Sequence, residues 1–171
     1  MTQAIAEARL SVAKSRIDDL EADARGAGSL EETSRVDRHV EALRKAHASA
    51  RAAAQAAGSR FEDALQELGT RLRIAEHRRA AEVARTRDDF VRSVEAELHA
   101  WDSYLDQLQE RSVAQTRGGR AEVSTSELRL RRNEAARRLG DVRTAPDGVW
   151  REHRERVFEA LDELDHAAGT A

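Results

Sequence analysis

Apolar residues step along this chain by fours and threes. Ala6, Leu10, Ala13, Ile17, Leu20 and Ala24 form one such stripe, which predicts an amphipathic helix over about residues 2–25. Gly26 and Gly28 end it, and Val36, Val40, Leu43, His47, Ala50, Ala54 and Ala57 continue the alternation on a second helix over about 30–57, closed by Gly58. Phe61, Leu65, Leu68, Leu72 and Ala75 begin a third, the pattern slips between Arg78 and Ala84, and Phe90, Val94, Leu98, Trp101, Leu105 and Leu108 restore it. Gly118 and Gly119 close that run. Leu128, Arg132, Ala135, Leu139 and Val142 then define a helix over about 126–143, and Trp150, Val157, Leu161, Leu164 and Ala168, with Phe158 beside them, define one over about 148–168. Pro146, Asp147 and Gly148 form the tight connection between these two.

Three Ser-x-x-Glu boxes, Ser29/Glu32, Ser59/Glu62 and Ser124/Glu127, mark helix starts. In each, the serine hydroxyl accepts from the amide three residues on while the glutamate reaches back, so donors that a helix start leaves open are used.

Between Ser59 and Arg117 there is no proline, and Gly69 is the only glycine. The expected third helix is therefore continuous over about 60–117 and about 87 Å long at 1.5 Å per residue, with the slips acting as stutters. The expected fold is all-α: an elongated antiparallel bundle or coiled coil of about five helices in one domain, 1–171. A long central helix (about 59–117) is shared by two three-helix segments. Short connections make successive helices antiparallel, so the last helix runs parallel to the second half of the third and Trp101 and Trp150 share a layer. The alternative is a compact four- or five-helix bundle with a break near Thr86, whose Thr-x-x-Asp spacing to Asp89 is a weaker cap.

Composition fits this class. The chain is 40% hydrophobic and 36% charged with only 4% aromatic residues, and much of the apolar content is alanine, so stability is spread along extended seams. Cysteine is absent, which removes disulfides, thiolate nucleophiles and cysteine-based zinc sites. The N-terminus has no basic segment followed by an apolar core, and no stretch approaches the roughly 18 apolar residues of a membrane span. A cytoplasmic protein is expected, and the preference for arginine over lysine, with Lys14 and Lys45 the only lysines, suggests a GC-rich bacterial genome.

No motif for chemistry accompanies the helical pattern. Glu163 and His166 form the one Glu-x-x-His, where a di-iron bundle carries two, so no metal is expected. Glu95/His99 and Asp162/His166 have the spacing of exposed i,i+4 pairs. His47, set in the apolar stripe, either makes one satisfying hydrogen bond at the seam edge or acts as a pH switch. There is no Gly-x-Ser-x-Gly elbow and no phosphate loop, since Arg117-Gly118-Gly119-Arg120 lacks both the Walker pattern and a preceding strand. Phe90, Trp101, Tyr104, Trp150 and Phe158 are expected in the packed core. No cofactor and no enzymatic activity are expected.

Charge carries the remaining hint. Net charge is −3, yet from Arg111 to Arg143 nine arginines face four acids, whereas Ser93 to Glu110 has five acids and no lysine or arginine. Either Arg117, Arg120, Arg131, Arg137 and Arg138 form a basic patch for nucleic acid or anionic lipid, or this helix pairs with its acidic neighbours. Leu130 falls opposite the Leu128 seam and is a candidate contact for another chain. The expectation is a non-catalytic structural or interaction module that presents helical faces to a protein partner, self-association included. Binding of an anionic partner through the helix over about 126–143 is the first alternative, and a helical-bundle enzyme or small-ligand protein is the second.

Overall fold

The three-and-four spacing resolves into six α-helices among residues 3–27, 30–55, 60–115 and 125–169, which are the residues that the computed structural model describes. They are α1 (Gln3–Ala27), α2 (Leu30–Gln55), α3 (Arg60–Val83), α4 (Arg87–Gln115), α5 (Thr125–Thr144) and α6 (Trp150–Gly169). No strand occurs among the described residues, so the expected all-α bundle class is what forms. Ser29, Ser59 and Ser124 of the three capping boxes lie outside the described residues, as do Arg117 and Arg120. The chain divides into two compact units, Met1–Glu82 and Val83–Ala171.

In the first unit the predicted stripe is the buried one. Ala6, Leu10, Ala13, Ile17 and Leu20 of α1 share a core with Val40, Leu43 and Ala50 of α2 and with Phe61, Leu68, Leu72 and Ala75 of α3. Each fully buried leucine or isoleucine contributes about 1.5–3 kcal/mol, and the alanines among them permit close helix approach. Polar contacts set the directions. His47 bonds the Leu10 carbonyl and Arg44 bonds Glu21 at 2.5 Å, so α2 runs back along α1. Arg9 reaches Glu62, Arg16 reaches Glu76 and Arg79 reaches the Asp23 carbonyl, so partner numbers rise together and α3 runs parallel to α1.

The expected continuous helix over about 60–117 does not form: α3 ends at Val83 and α4 starts at Arg87, so the break near Thr86 is the correct alternative. Its local cause is a cap. The Thr86 hydroxyl accepts from the Asp89 amide at 3.1 Å and donates to Asp89 Oδ2 at 2.7 Å, and the Phe90 amide bonds the Thr86 carbonyl at 3.1 Å. Asp88 and Asp89 then occupy the first turn, where the helix dipole favours carboxylates. Tertiary contacts complete the break. Arg154 of α6 donates to the Ala84 carbonyl at 3.4 Å, and Arg87 donates to the Ala145 carbonyl at 2.7 Å and lies 3.3 Å from Asp147.

These contacts also correct the expected layer of the tryptophans. Because Arg87 holds the Ala145–Asp147 connection at the start of α4, Trp150 arrives beside Phe90, with ring centroids 6.1 Å apart, rather than in the layer of Trp101. Trp101 instead meets Tyr104 edge-on at 5.6 Å. Phe90 and Phe158 pack edge to face at 5.5 Å, and the Arg154 guanidinium lies 5.4 and 5.3 Å from their ring centres. The parallel direction of α6 and α4 is thus as expected, in a shifted register. All five aromatics singled out in this half are buried, together with Val94, Leu98, Leu105, Leu128, Ala135, Leu139, Val142, Val157, Leu161 and Leu164. In the connection, the Val149 amide bonds the Pro146 carbonyl at 3.1 Å, and Gly148 has a φ of 94°, the positive value that the third position of a type II turn needs.

Thr86→Ala removes the acceptor of the Asp89 amide and is expected to cost about 1 kcal/mol in urea-induced unfolding. Gly148→Ala is expected to lose about 1 kcal/mol for its positive φ, while Gly69→Ala, mid-helix with open space where a Cβ would stand, is expected to gain about as much. Unfolding midpoints that move together in the two glycine variants would contradict that assignment.

Candidate functional site

The arginine-rich helix is α5, and its seam, Leu128, Ala135, Leu139 and Val142, is buried as the spacing requires. That orientation leaves the guanidiniums along the edges, where acids meet them. Arg129 bonds Asp106 at 2.8 Å and Gln109 at 2.9 Å, Arg132 bonds Asp102 at 2.6 Å, and Arg143 pairs with Glu95, all on α4. Arg131 bonds Glu127 at 2.9 Å within α5 and Glu163 of α6 at 3.2 Å. Arg137 holds Glu134 through two bonds, 2.8 and 2.6 Å, and approaches Asp141 at 3.9 Å, while Arg138 bonds Glu134 at 2.7 Å.

Of the six candidate partner-binding residues, four lie within the described residues: Leu130, Arg131, Arg137 and Arg138. Arg137 and Arg138 are brought together through Glu134, whereas Arg131 bonds other carboxylates, Glu127 and Glu163. The acidic stretch Ser93–Glu110 supplies the α4 partners, so the uneven charge along the chain is complementary across neighbouring helices of this unit. Leu130 is 65% exposed and projects from this surface, as its position opposite the Leu128 seam predicts.

Glu134 has the most perturbed carboxyl of the helix. Hydrogen bonds from Arg137 and then Arg138 hold it down, from an ordinary 4.5 to about 2. At the break, bonds from Thr86 and then Arg92 likewise hold the Asp89 carboxyl below its usual range.

The first unit carries a different kind of surface. Ala8, Val12 and Ala13 of α1 and Leu65, Leu68, Gly69 and Leu72 of α3 line a groove of about 630 Å³. Arg9 and Glu62 cross it 3.4 Å apart at one end, and Arg16, farther along, reaches out to grip Glu76 in two-oxygen fashion at 2.5 and 2.6 Å. Val12 is 61% exposed, and Ile5, two helical turns earlier on the same face, is 51% exposed. The sequence reading does not single out this groove. Its signal was present: Ile5, Ala8 and Val12 form a second apolar series on α1, offset from the Ala6–Leu10–Ala13 stripe.

Between α1 and α2, His47 lines a smaller groove of about 360 Å³ with Glu7, Ser11, Lys14 and Arg51. Its Nε2 lies 3.1 Å from the Leu10 carbonyl, and since a carbonyl only accepts, Nε2 carries the hydrogen. This is the seam-edge hydrogen bond that the sequence offers as one reading of His47. Among the described residues no cluster of three or more histidine, aspartate or glutamate side chains is arranged for a metal ion, and no helix is long and apolar enough to cross a membrane.

The Glu134 pairing has a pH signature. A depressed carboxyl stabilises the fold above the unfolded value near 4.3 and loses that contribution as pH falls towards about 2. Thermal melts of the wild type and of Glu134→Gln should therefore differ most above about pH 4.5 and converge at about pH 2. A gap that stays constant across this range would count against the two-arginine clamp.

Comparison with known proteins finds no match for this chain among protein-family models, curated proteins or solved structures.

Proposed function

We propose that this protein is a non-catalytic interaction module whose first unit offers the α1–α3 groove to a helix of a protein partner. The observation that carries the proposal is the exposure of Val12 and Ile5 beside an apolar trough lined by Leu65, Leu68 and Leu72. A helix that lays an apolar ridge into such a trough buries these side chains, and each is worth about 1.5–3 kcal/mol for complete burial. The flanking Arg9/Glu62 and Arg16/Glu76 pairs would supply a polar rim around that apolar centre.

Anion binding through α5 is the weaker reading. Each of Arg129, Arg131, Arg132, Arg137, Arg138 and Arg143 already has a carboxylate partner, so binding a phosphate there exchanges one ion pair for another. No aromatic side chain interleaves with these arginines to stack a base.

A photo-crosslinking residue placed at Val12 of the full chain, inside its native cells, tests the proposal. A discrete protein adduct from position 12, absent when the same residue replaces the exposed Lys45 on α2, is the expected result. No adduct from position 12, or equal adducts from both positions, would overturn it.

A further inference from the structure

We infer that the occupant of the α1–α3 groove is the same groove of a second copy of this chain, an inference that rests on the reading above that the groove takes a protein helix. The groove is self-complementary. One wall, α1, carries the ridge: Ile5 and Val12 stand exposed on one face. The other wall, α3, carries the trough, and Gly69 lies in it with nothing within 4 Å of the position its Cβ would occupy. A glycine inside a helix costs about 1 kcal/mol relative to alanine, and no packing among the described residues requires one here. The missing side chain leaves room for atoms from outside the chain.

Charge follows the same division. The α1 wall presents Arg9 and Arg16, and the α3 wall presents Glu62, with Glu76 farther along the same helix. Because α1 and α3 are parallel, a two-fold axis along the groove sets the α1 of each copy over the α3 of the other, level with its own. The ridge of each copy then meets the trough of its mate, and the basic wall of each meets the acidic wall of the other, as an isologous contact demands. Arg16 and Glu76 grip each other through two oxygens and remain within one chain. Arg9 and Glu62 are 3.4 Å apart and more than half exposed, 57% and 58%, so this is the pair that exchanges partners between copies.

Sedimentation velocity on the full-length chain, from about 5 to 500 μM, tests the inference in the range expected for a small interface. The expected result is a concentration-dependent dimer weakened at least tenfold by Val12→Asp, with helicity, and melting temperature at concentrations where both chains are monomeric, unchanged because Val12 is outside the core. Gly69→Leu is expected to weaken the dimer by filling the trough while preserving the helix, which separates loss of contact from loss of fold. Arg9→Glu and Glu62→Arg each place like charges across the two-fold and should each weaken the dimer. Mixed in equal amounts they should restore it, because each introduced charge finds its opposite on the other chain.

A wild-type chain that stays monomeric throughout, a dimer indifferent to Val12→Asp, or a mixture that shows no rescue would each overturn the inference. The groove's role with proteins is judged separately. An adduct from position 12 with the mass of a different protein, together with a monomeric chain, would overturn self-association and leave the interaction-module reading standing.

Discussion

The Thr86 hydroxyl holds the Asp89 amide, and the second unit is built outward from that bond. It sets where α4 begins and hence the level of Phe90. Arg87, one residue past the cap, fastens the connection between α5 and α6 through the Ala145 carbonyl, which brings Trp150 against Phe90. Arg154 then lies over Phe90 and Phe158 and turns its guanidinium to the Ala84 carbonyl. One planar cation thus faces two aromatic rings and occupies an acceptor near the end of α3. Its alkyl stem brings apolar surface to the same place.

The two units hold their outer helices by different devices. In the first, besides the shared core, α1 is tied to α3 by a few long side chains, Arg9 and Arg16 at a trough of small and branched residues and Arg79 at the Asp23 carbonyl. In the second, α5 is bordered by carboxylates from α4, from α6 and from its own turns, while its apolar seam is narrow. Exposed pairs of this kind are worth only about 0–1 kcal/mol each, so the many contacts on α5 act more on register and on the choice of neighbour than on total stability. Burial of Leu128, Leu139 and Val142 supplies the larger share.

Much of the fold was legible because an amphipathic stripe has one stable outcome, burial. Ala6, Leu10, Ala13, Ile17 and Leu20 show this in α1, and Phe90, Val94, Leu98, Trp101 and Leu105 show it in α4. The break between α3 and α4 was legible only as an alternative. Val83 to Arg87 contains neither glycine nor proline, and the groups that fix the break from outside, Arg154 and the Ala145 carbonyl, are distant in sequence. The aromatic register failed for the same reason, since it depends on Arg87. At the candidate surfaces, the complementary charges of α4 and α5 were readable from segment totals. The α1–α3 groove was not, because the short series Ile5, Ala8 and Val12 looks incidental beside the longer stripe until Gly69 and Leu65 are set opposite it.

The Ala84 carbonyl and the guanidinium that binds it are 70 residues apart. As the chain is synthesised, all of α1, α2 and α3 exists before any of α6, and the apolar residues of the first unit can find one another while Arg154 is still unmade. Closing so long a loop carries an entropic cost that a local cap does not. The Thr86 cap can therefore mark the site of the break early, whereas the clasp on Ala84 waits for α6. The order of synthesis gives the break between α3 and α4 a starting position first and a tertiary anchor last.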